Sequence, residues 1–178
     1  MFCDILYMFY TILDDLILYQ QITFKPPKYS NYELKLHSYF YDKTQIDPSY
    51  IILIKIEYID FIFFFIRQDK YFQATTYLNS IRHNISSKKV MIIRFDNILI
   101  NLIFNLFPDL CIDDIEIEIN KVKGKYEISI CFLRQLNIYH IAVGERGCYI
   151  KAVNKLIDKY ITFDNSHTPL TIKCRATN

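Results

Sequence analysis

Residues 138–160 read IYHIAVGERGCYIKAVNKLIDKY, and this stretch decides how the C-terminal half of the chain folds. Gly144 and Gly147 frame a Gly-Glu-Arg-Gly loop, and the apolar residues on either side of it recur at helical spacing. The whole chain has only 3 glycines, so two of them in one tetrapeptide indicate a local backbone constraint. The pattern therefore predicts two helices, over 138–143 and 148–160, separated by a tight loop.

The segments around this loop predict a mixed α+β domain. Asp96 is a good helix N-cap, and Lys123-Gly124-Lys125 is typical of a hairpin turn. Periodicity predicts, in chain order, a helix, two hairpin strands and a last strand: Ile98–Phe107, Ile115–Val122, Tyr126–Leu133, and from Ile161 onward. Helix, strand, strand, helix, GxxG loop, helix, strand is the element order of a type II KH domain, which is an RNA-binding module.

Residues 31–95 are predicted to form a small β-barrel of the OB kind, because short apolar alternations follow one another without a strong helix between them. The candidate strands are 32–37, 52–58, 61–66, 72–81 and 89–95. No internal repeat is visible. Upstream, a helix is predicted within residues 1–22, and Lys25-Pro26-Pro27-Lys28 is typical of a linker. The predicted organisation is an N-terminal helix and linker, an OB-like barrel and a type II KH domain: 1–30, 31–95 and 96–178.

The candidate RNA contacts lie in the GERG loop and on the helix that follows it. Glycines let the backbone approach a nucleotide chain closely, and the start of the next helix directs amides and a positive dipole end toward a phosphate. An arginine adds a charge-assisted contact, and lysines spaced by four residues share one helix face. The predicted RNA-binding residues are Gly144, Glu145, Arg146, Gly147, Cys148, Lys151 and Lys155.

Two features near these candidates have an alternative interpretation. The lysine face, which Lys159 extends, is either a basic edge along the RNA or an ordinary solvated surface. Aromatic residues of the β-rich half, such as Tyr58, Phe63 and Phe65, either stack on bases or fill the core.

The composition bounds the function further. The net charge is only +2, with 15 Tyr, 14 Phe and no Trp, so any RNA site must concentrate its charge locally. Abundant Ile, Asn, Lys and Tyr are typical of an AT-rich genome. This bias predicts a location in the stroma or matrix of an organelle, a plastid first, or in the cytoplasm of a reduced bacterium.

Signals of catalysis, metal binding and membrane insertion are missing from the sequence. It has no nucleophile elbow, P-loop or metal box, and its 5 cysteines include no CxxC pair. The apolar stretches 1–19 and 50–66 each contain three charged residues, and charged residues are unfavourable within a membrane-spanning segment. We therefore expect no enzyme activity, no cofactor, no metal, no small-molecule substrate and no membrane insertion.

From about Thr76 to the end, the chain resembles the bacterial transcription elongation and termination factor NusA. The segment IAVGERGCYIKAVNKL is similar to that family's Gly-x-Arg-Gly loop and following helix, which carries an Ala-Val pair. The matching positions are Gly144, Arg146, Gly147, Ala152 and Val153. The resemblance covers the end of the family's OB barrel and its first KH module.

The resemblance implies a reduced NusA-like factor that holds nascent single-stranded RNA during transcription, with termination or antitermination as the outcome. It implies RNA polymerase as a second partner, although the family's polymerase-binding N-terminal domain is longer than the residues before Asn31. The alternative is a ribosomal or ribosome-assembly protein that uses the same KH fold. The long β-rich region before Asp96 favours the first interpretation.

Overall fold

A computed structural model describes residues 18–107, 115–122, 124–133, 136–163 and 169–177. The fold is mixed α+β. Most of the helix predicted within residues 1–22 lies outside the described residues, and 18–20 form a turn that leads into a short strand. Pro108 and Asp109, which directly follow the helix predicted over Ile98–Phe107, are also outside them. Within the described chain, no helix combines the length and apolar composition needed to cross a membrane.

Helices and strands are interspersed along the described residues. In chain order they are β1 Ile22–Phe24, α1 Asn31–Thr44, β2 Tyr50–Ile56, β3 Ile59–Ile66, α2 Tyr71–Thr75, α3 Leu78–Asn84, β4 Lys89–Arg94, α4 Leu99–Leu106, β5 Ile115–Val122, β6 Lys125–Leu133, α5 Leu136–Val143, α6 Cys148–Tyr160, β7 Ile161–Phe163 and β8 Leu170–Thr177.

The described strands form three small open sheets, with the orders β1-β7, β2-β3-β4 and β5-β6-β8. None of them closes into a barrel, so the predicted OB-like barrel over 31–95 is wrong. Only three of its five candidate strands are strands, and these make one sheet that is covered by helices. The remaining two candidates, 32–37 and 72–81, lie in helical segments.

The same arrangement of helices and strands occurs twice in the described chain. Residues 31–94 and 99–177, here called the first and second units, each run helix, strand, strand, helix, helix, strand, with the short β7 added in the second. In each unit the first two strands pair antiparallel, and the third pairs parallel to the second. The C-terminal element order therefore matches its prediction, and the repeat is a finding that the sequence pattern did not reveal.

Helix α1 replaces the strand predicted over 32–37 because its start is strongly capped. The Ser30 hydroxyl accepts from the Glu33 amide at 3.3 Å, and the Glu33 carboxylate accepts from the Ser30 amide at 2.7 Å. This reciprocal pair is a capping box. Buried side chains then recur every four residues, at Leu36, Phe40 and Thr44. Helical packing therefore overrides the short alternation.

The segment predicted as a strand over 72–81 forms two short helices, α2 and α3, that lie on the first sheet. The hydroxyls of Thr75 and Thr76 donate back to the carbonyls of Phe72 and Gln73, at 2.8 and 2.7 Å. These bonds close the first helix locally, as Thr side chains do near helix ends. Ala74 and Ile81 bury their side chains against the sheet. The β-like composition of the segment is thus overridden by packing.

Strand β3 is buried on both faces, which explains its uninterrupted apolar sequence. Ile62, Phe64 and Ile66 belong to a core under the helices of the first unit. The alternate residues Phe61, Phe63 and Phe65 belong to a second core. Because side chains alternate along a strand, the two sets face opposite ways. The second core also contains side chains of α4, β6 and α6, so it joins the two units.

Asp96 supports the start of α4 from outside the helix. The cap position is Ile98, whose side chain makes no capping bond. The Asp96 carboxylate accepts from the Ile98 amide at 2.9 Å and from the Asn101 side-chain amide at 3.2 Å. The N-cap therefore lies two residues after Asp96, the predicted position. The Asp96 side chain nevertheless stabilises the start of the helix.

Candidate nucleic-acid interface

The GERG loop joins α5 to α6 through a compact turn. The Gly144 amide donates to the His140 carbonyl at 2.9 Å and closes the end of α5. The Gly147 amide donates to the Gly144 carbonyl at 3.0 Å, and the Cys148 amide donates to the Glu145 carbonyl. In the described chain, no backbone acceptor takes the amides of Glu145 and Arg146. These two amides are therefore the loop donors left for a ligand.

Gly144 is required by its surroundings as well as by its backbone. Its φ of 74° and ψ of 169° lie in a region that is essentially restricted to glycine. A Cβ built on it would lie 2.7 Å from the Tyr149 Cβ and 2.9 Å from the Tyr149 amide nitrogen. The loop therefore packs against the first turn of α6 at a distance that only glycine permits.

The tip of the loop is exposed and has an unusual backbone. Arg146 adopts a left-handed conformation with φ 51° and ψ 27°, and Gly147 follows with φ 73°. A non-glycine residue in this region carries backbone strain, which is concentrated at functional sites in many proteins. The side chains of Glu145 and Arg146 are exposed, and in the described chain neither makes an ion pair. Arg146 is free to meet an anion.

The other predicted contacts have different environments. Cys148 is buried, with 2% of its surface exposed, although it lines the cavity beside the loop that is described below. Lys151 Nζ lies 3.3 Å from Glu57 Oε1, and Lys155 Nζ donates to the Lys55 carbonyl at 3.1 Å. Both lysines thus contact the β2–β3 hairpin of the first unit while their side chains stay exposed. The lysine face connects the units.

Tyr149 is the main residue that sequence reasoning missed. Its hydroxyl donates to the Leu106 carbonyl, and burial raises the pKa of this phenol well above its usual value. Its ring centroid lies 6.0 Å from that of Phe61, 6.3 Å from that of Phe63 and 5.9 Å from that of Phe107. Tyr149 therefore supports the loop from below and contacts both units.

A cavity of about 320 Å³ opens beside the loop, between the two units. Gly144, Glu145 and Tyr149 line it from the second unit. The start of the first sheet and helix α3 provide the facing wall, with Ile59, Phe61, Arg82, Lys89 and Met91. The predicted loop residues are thus brought together with two cations that lie more than fifty residues earlier in the sequence.

A second cavity of about 600 Å³ continues along the same wall and shares Arg82 and Lys89 with the first. Lys88 also lines it and is paired with Asp60. Their hydrogen bond lowers the pKa of the Asp60 carboxyl and raises that of the Lys88 ammonium. Lys89, in contrast, is exposed, with no ion pair in the described chain. In the described chain, Lys89 and Arg146 are thus exposed cations near the loop that make no ion pair.

The aromatic residues of the first unit that were candidates for base stacking differ in how deeply they are buried. Phe63 and Phe65 are fully buried, so they belong to the core and do not stack on bases. Tyr58, on the β2–β3 hairpin, is 66% exposed and lines the larger cavity. In the part of the chain that the structure describes, no group of three or more His, Cys, Asp or Glu residues could hold a metal ion.

The thiol of Cys174, on β8, should make the protein less stable in alkali. Burial, with a smaller contribution from Cys131, raises the pKa of Cys174 to about 12 from the ordinary 9.0. The unfolded thiol loses its proton at lower pH than the folded one, so the free energy of unfolding should fall as pH rises from 9.0 to about 12. Urea unfolding across this range should give a shallower fall for Cys174→Ala. Parallel curves for the two proteins would contradict the assignment.

Comparisons with known proteins bear on the fold alone. No family model matches the chain, and no curated protein matches it. Among solved structures, the chain is similar to one described as the crystal structure of APE1850, with a TM-score of 0.56 and 17% identity. The match covers 83% of this chain and 100% of that one. At this identity the likeness shows a shared fold and leaves function open.

Proposed function

We propose that this chain is a single-stranded RNA-binding protein that grips the RNA backbone with its GERG loop, as a type II KH module does. One observation carries the proposal. The loop lies between two helices of a helix-strand-strand-helix-helix-strand unit, and three of its four residues have positive φ: Gly144, Arg146 and Gly147. In the described chain the amides of Glu145 and Arg146 have no backbone acceptor, and both residues are exposed, which suits a phosphate that needs donors.

We further propose that the first unit is a KH-like copy without the gripping loop. Its two short helices are joined by Thr76 and Tyr77, and the segment contains no glycine. Without glycine, a nucleotide backbone cannot approach that turn as closely as it approaches GERG. The first unit instead supports the second through Glu57, Lys55 and Phe61. RNA binding is thereby assigned to the second unit, next to the inter-unit cavity.

The cellular role that fits best is that of a NusA-like factor, acting on nascent RNA with RNA polymerase as its second partner. This step rests on the resemblance of residues 144–153 to the NusA loop and helix. Co-purification of the tagged chain with polymerase and transcripts is the expected result. Co-sedimentation with ribosomal subunits in place of polymerase would contradict it and support the ribosomal alternative.

A salt-dependent titration tests the RNA-binding proposal. The variant Glu145→Asp/Arg146→Asp should bind single-stranded RNA at least about tenfold more weakly than the wild type, because it replaces the Arg146 cation by a carboxylate, next to the carboxylate that position 145 already carries. The wild type should also lose affinity between about 50 and about 200 mM salt, and the variant should show a smaller salt slope. Fluorescence anisotropy with a labelled oligonucleotide measures both.

A charge-matched control separates the loop from general electrostatics. Lys70→Asp changes the charge by the same amount on an exposed turn after the end of β3, whereas the cavity lies at the start of that strand. We expect it to bind RNA like the wild type. Equal losses in Lys70→Asp and in the loop variant would mean that RNA is held by diffuse charge. Unchanged binding in the loop variant would refute GERG as the grip.

A further inference from the structure

The walls of the cavity between the units resemble those of a small-molecule binding site. Its volume of about 320 Å³ lies at the lower end of the range for ligand pockets. Ile59, Phe61, Met91 and Tyr149 supply an apolar and aromatic lining. Flat aromatic bases of RNA are well suited to such walls, since stacking and apolar contact tolerate any base.

The polar groups at this cavity make a selective pattern. Glu145 contributes a carboxylate, which only accepts hydrogen bonds when ionised. On the facing wall, Arg82 and Lys89 only donate. The Arg82 guanidinium is held in place by its Nε, which donates to the Val90 carbonyl at 3.1 Å. A ligand that fits must therefore present a donor toward the loop and an acceptor toward the first unit.

We propose that this inter-unit cavity is a nucleobase pocket that takes a base with an exocyclic amine, cytosine being the smallest, and rejects uracil. The inference rests on the proposed RNA-binding function. Cytosine offers its N4 amine to a carboxylate acceptor, as glutamate accepts it in base recognition. Its N3 and O2 then accept from the cations opposite. Uracil has a carbonyl oxygen at the N4 position, which would face the Glu145 carboxylate.

The base that fills the cavity belongs to the same RNA strand whose backbone the loop grips. Gly144 and Glu145 are part of the loop and also line the cavity. A KH-type loop clamps about four nucleotides, so an adjacent nucleotide of the same strand reaches the cavity without a long linker. Glu145 disfavours a phosphate but suits a base edge, which gives this acidic residue of the loop a role in specificity.

A base-substitution scan tests the pocket. An oligouridine of about eight nucleotides, roughly twice the length that the loop clamps, is compared with versions that carry cytidine at one position at a time. The wild type should bind one of these cytidine versions about tenfold more tightly than oligouridine. Glu145→Gln should remove this preference, because a side-chain amide can donate to uracil as well as accept from cytosine. Its binding should remain salt-sensitive.

A second variant and a direct readout locate the base. Lys89→Glu should weaken the cytidine version at least about fivefold, while Lys70→Glu, an equal charge change away from the cavity, should leave it unchanged. A 5-iodocytidine placed at the preferred position keeps the N4 amine and should cross-link under ultraviolet light to the peptide 90–94, which contains Met91 of the cavity wall.

The outcomes separate this inference from the function on which it rests. Equal affinity for cytidine and uridine at every position, with binding still lost in Glu145→Asp/Arg146→Asp, would overturn the pocket and leave the RNA grip intact. A cytidine preference that survives in Glu145→Gln would overturn the role of the carboxylate. A wild type that binds no RNA would overturn the proposed function, and the pocket with it.

Discussion

Replacement of Gly144 by alanine is expected to lower the free energy of unfolding by about 3 kcal/mol or more and to abolish RNA binding. Two costs combine at this position. Alanine is strained at φ 74° and ψ 169°, a conformation that costs about 1–3 kcal/mol. The new methyl group would also meet Tyr149 at 2.7 Å, and overpacking of this kind costs about 1–3 kcal/mol more. Urea unfolding and an RNA titration measure the two effects.

Gly147→Ala is the matched control for this prediction. Gly147 has nearly the same φ, at 73°, but its ψ of 15° lies in the ordinary left-handed region. A Cβ there would have its nearest neighbour at 3.9 Å, which is normal contact. We expect a cost of about 1 kcal/mol, from backbone strain alone. The difference between the two variants isolates the packing of the loop against Tyr149.

The converse pattern would refute this account of the loop. If Gly144→Ala and Gly147→Ala destabilised the protein equally, the close approach to Tyr149 would have no energetic weight. If Gly144→Ala kept full RNA affinity, the conformation of the GERG backbone would not determine binding. Gly124, whose added Cβ meets nothing within 4 Å at φ 76°, provides a further reference outside the loop.

The helices around the loop were predictable because their signals are local. Helix α6 begins at Cys148 and ends at Tyr160, as the apolar spacing predicts. Both loop glycines occupy positive φ, which few other residues adopt readily. Local backbone preference and amphipathic packing agree in this stretch, so both helices and the turn between them could be predicted from the sequence alone.

The first unit was misread because two of its signals are ambiguous over short windows. Alternation over 32–37 fits a strand, yet Leu34 is 50% exposed and Leu36 is buried, on a helix that buries every fourth residue. The pair Ser30 and Glu33 was the available sign of a helix start. Strand β3 shows no alternation of apolar and polar residues because both of its faces are buried. The sequence pattern therefore did not reveal a sheet that is covered on both sides.

The cavity could not be predicted from sequence. It brings Arg82 and Lys89 to Glu145 through the packing of two units, and no short-range pattern records such an approach. The lysine spacing of α6 was visible, but not that Lys151 and Lys155 would meet the β2–β3 hairpin. Sites made between repeated units depend on how the units pack, whereas a loop motif is contained in one segment.

Phe63→Ala is expected to lower the free energy of unfolding by about 3–5 kcal/mol and to weaken both units together. Phe63 is fully buried in the core that also contains α4, β6 and α6, and its ring lies 6.3 Å from that of Tyr149. Loss of the ring leaves a hole at the junction. Hydrogen exchange should therefore show lower protection in β2–β3–β4 and in β5–β6–β8 alike.

Phe64→Ala is the matched control, because Phe64 is the next residue on the same strand, is equally buried and faces the other core. Its ring stacks on Phe40 of α1 at 4.4 Å, within the first unit. We expect a stability loss of similar size, with the NMR signals of the Tyr149 ring unchanged in the folded protein. In Phe63→Ala the same signals should shift.

If protection in β5–β6–β8 stayed at the wild-type level in Phe63→Ala, the second unit would be stable by itself. Tyr149 and the GERG loop would then need no support from the first unit, and the cavity would be a passive gap between independent bodies. A joint loss instead means that the core beneath Tyr149 holds the loop in place. A substitution at Phe63 or Phe65, on the face of β3 that belongs to this core, would then change RNA binding without touching the RNA.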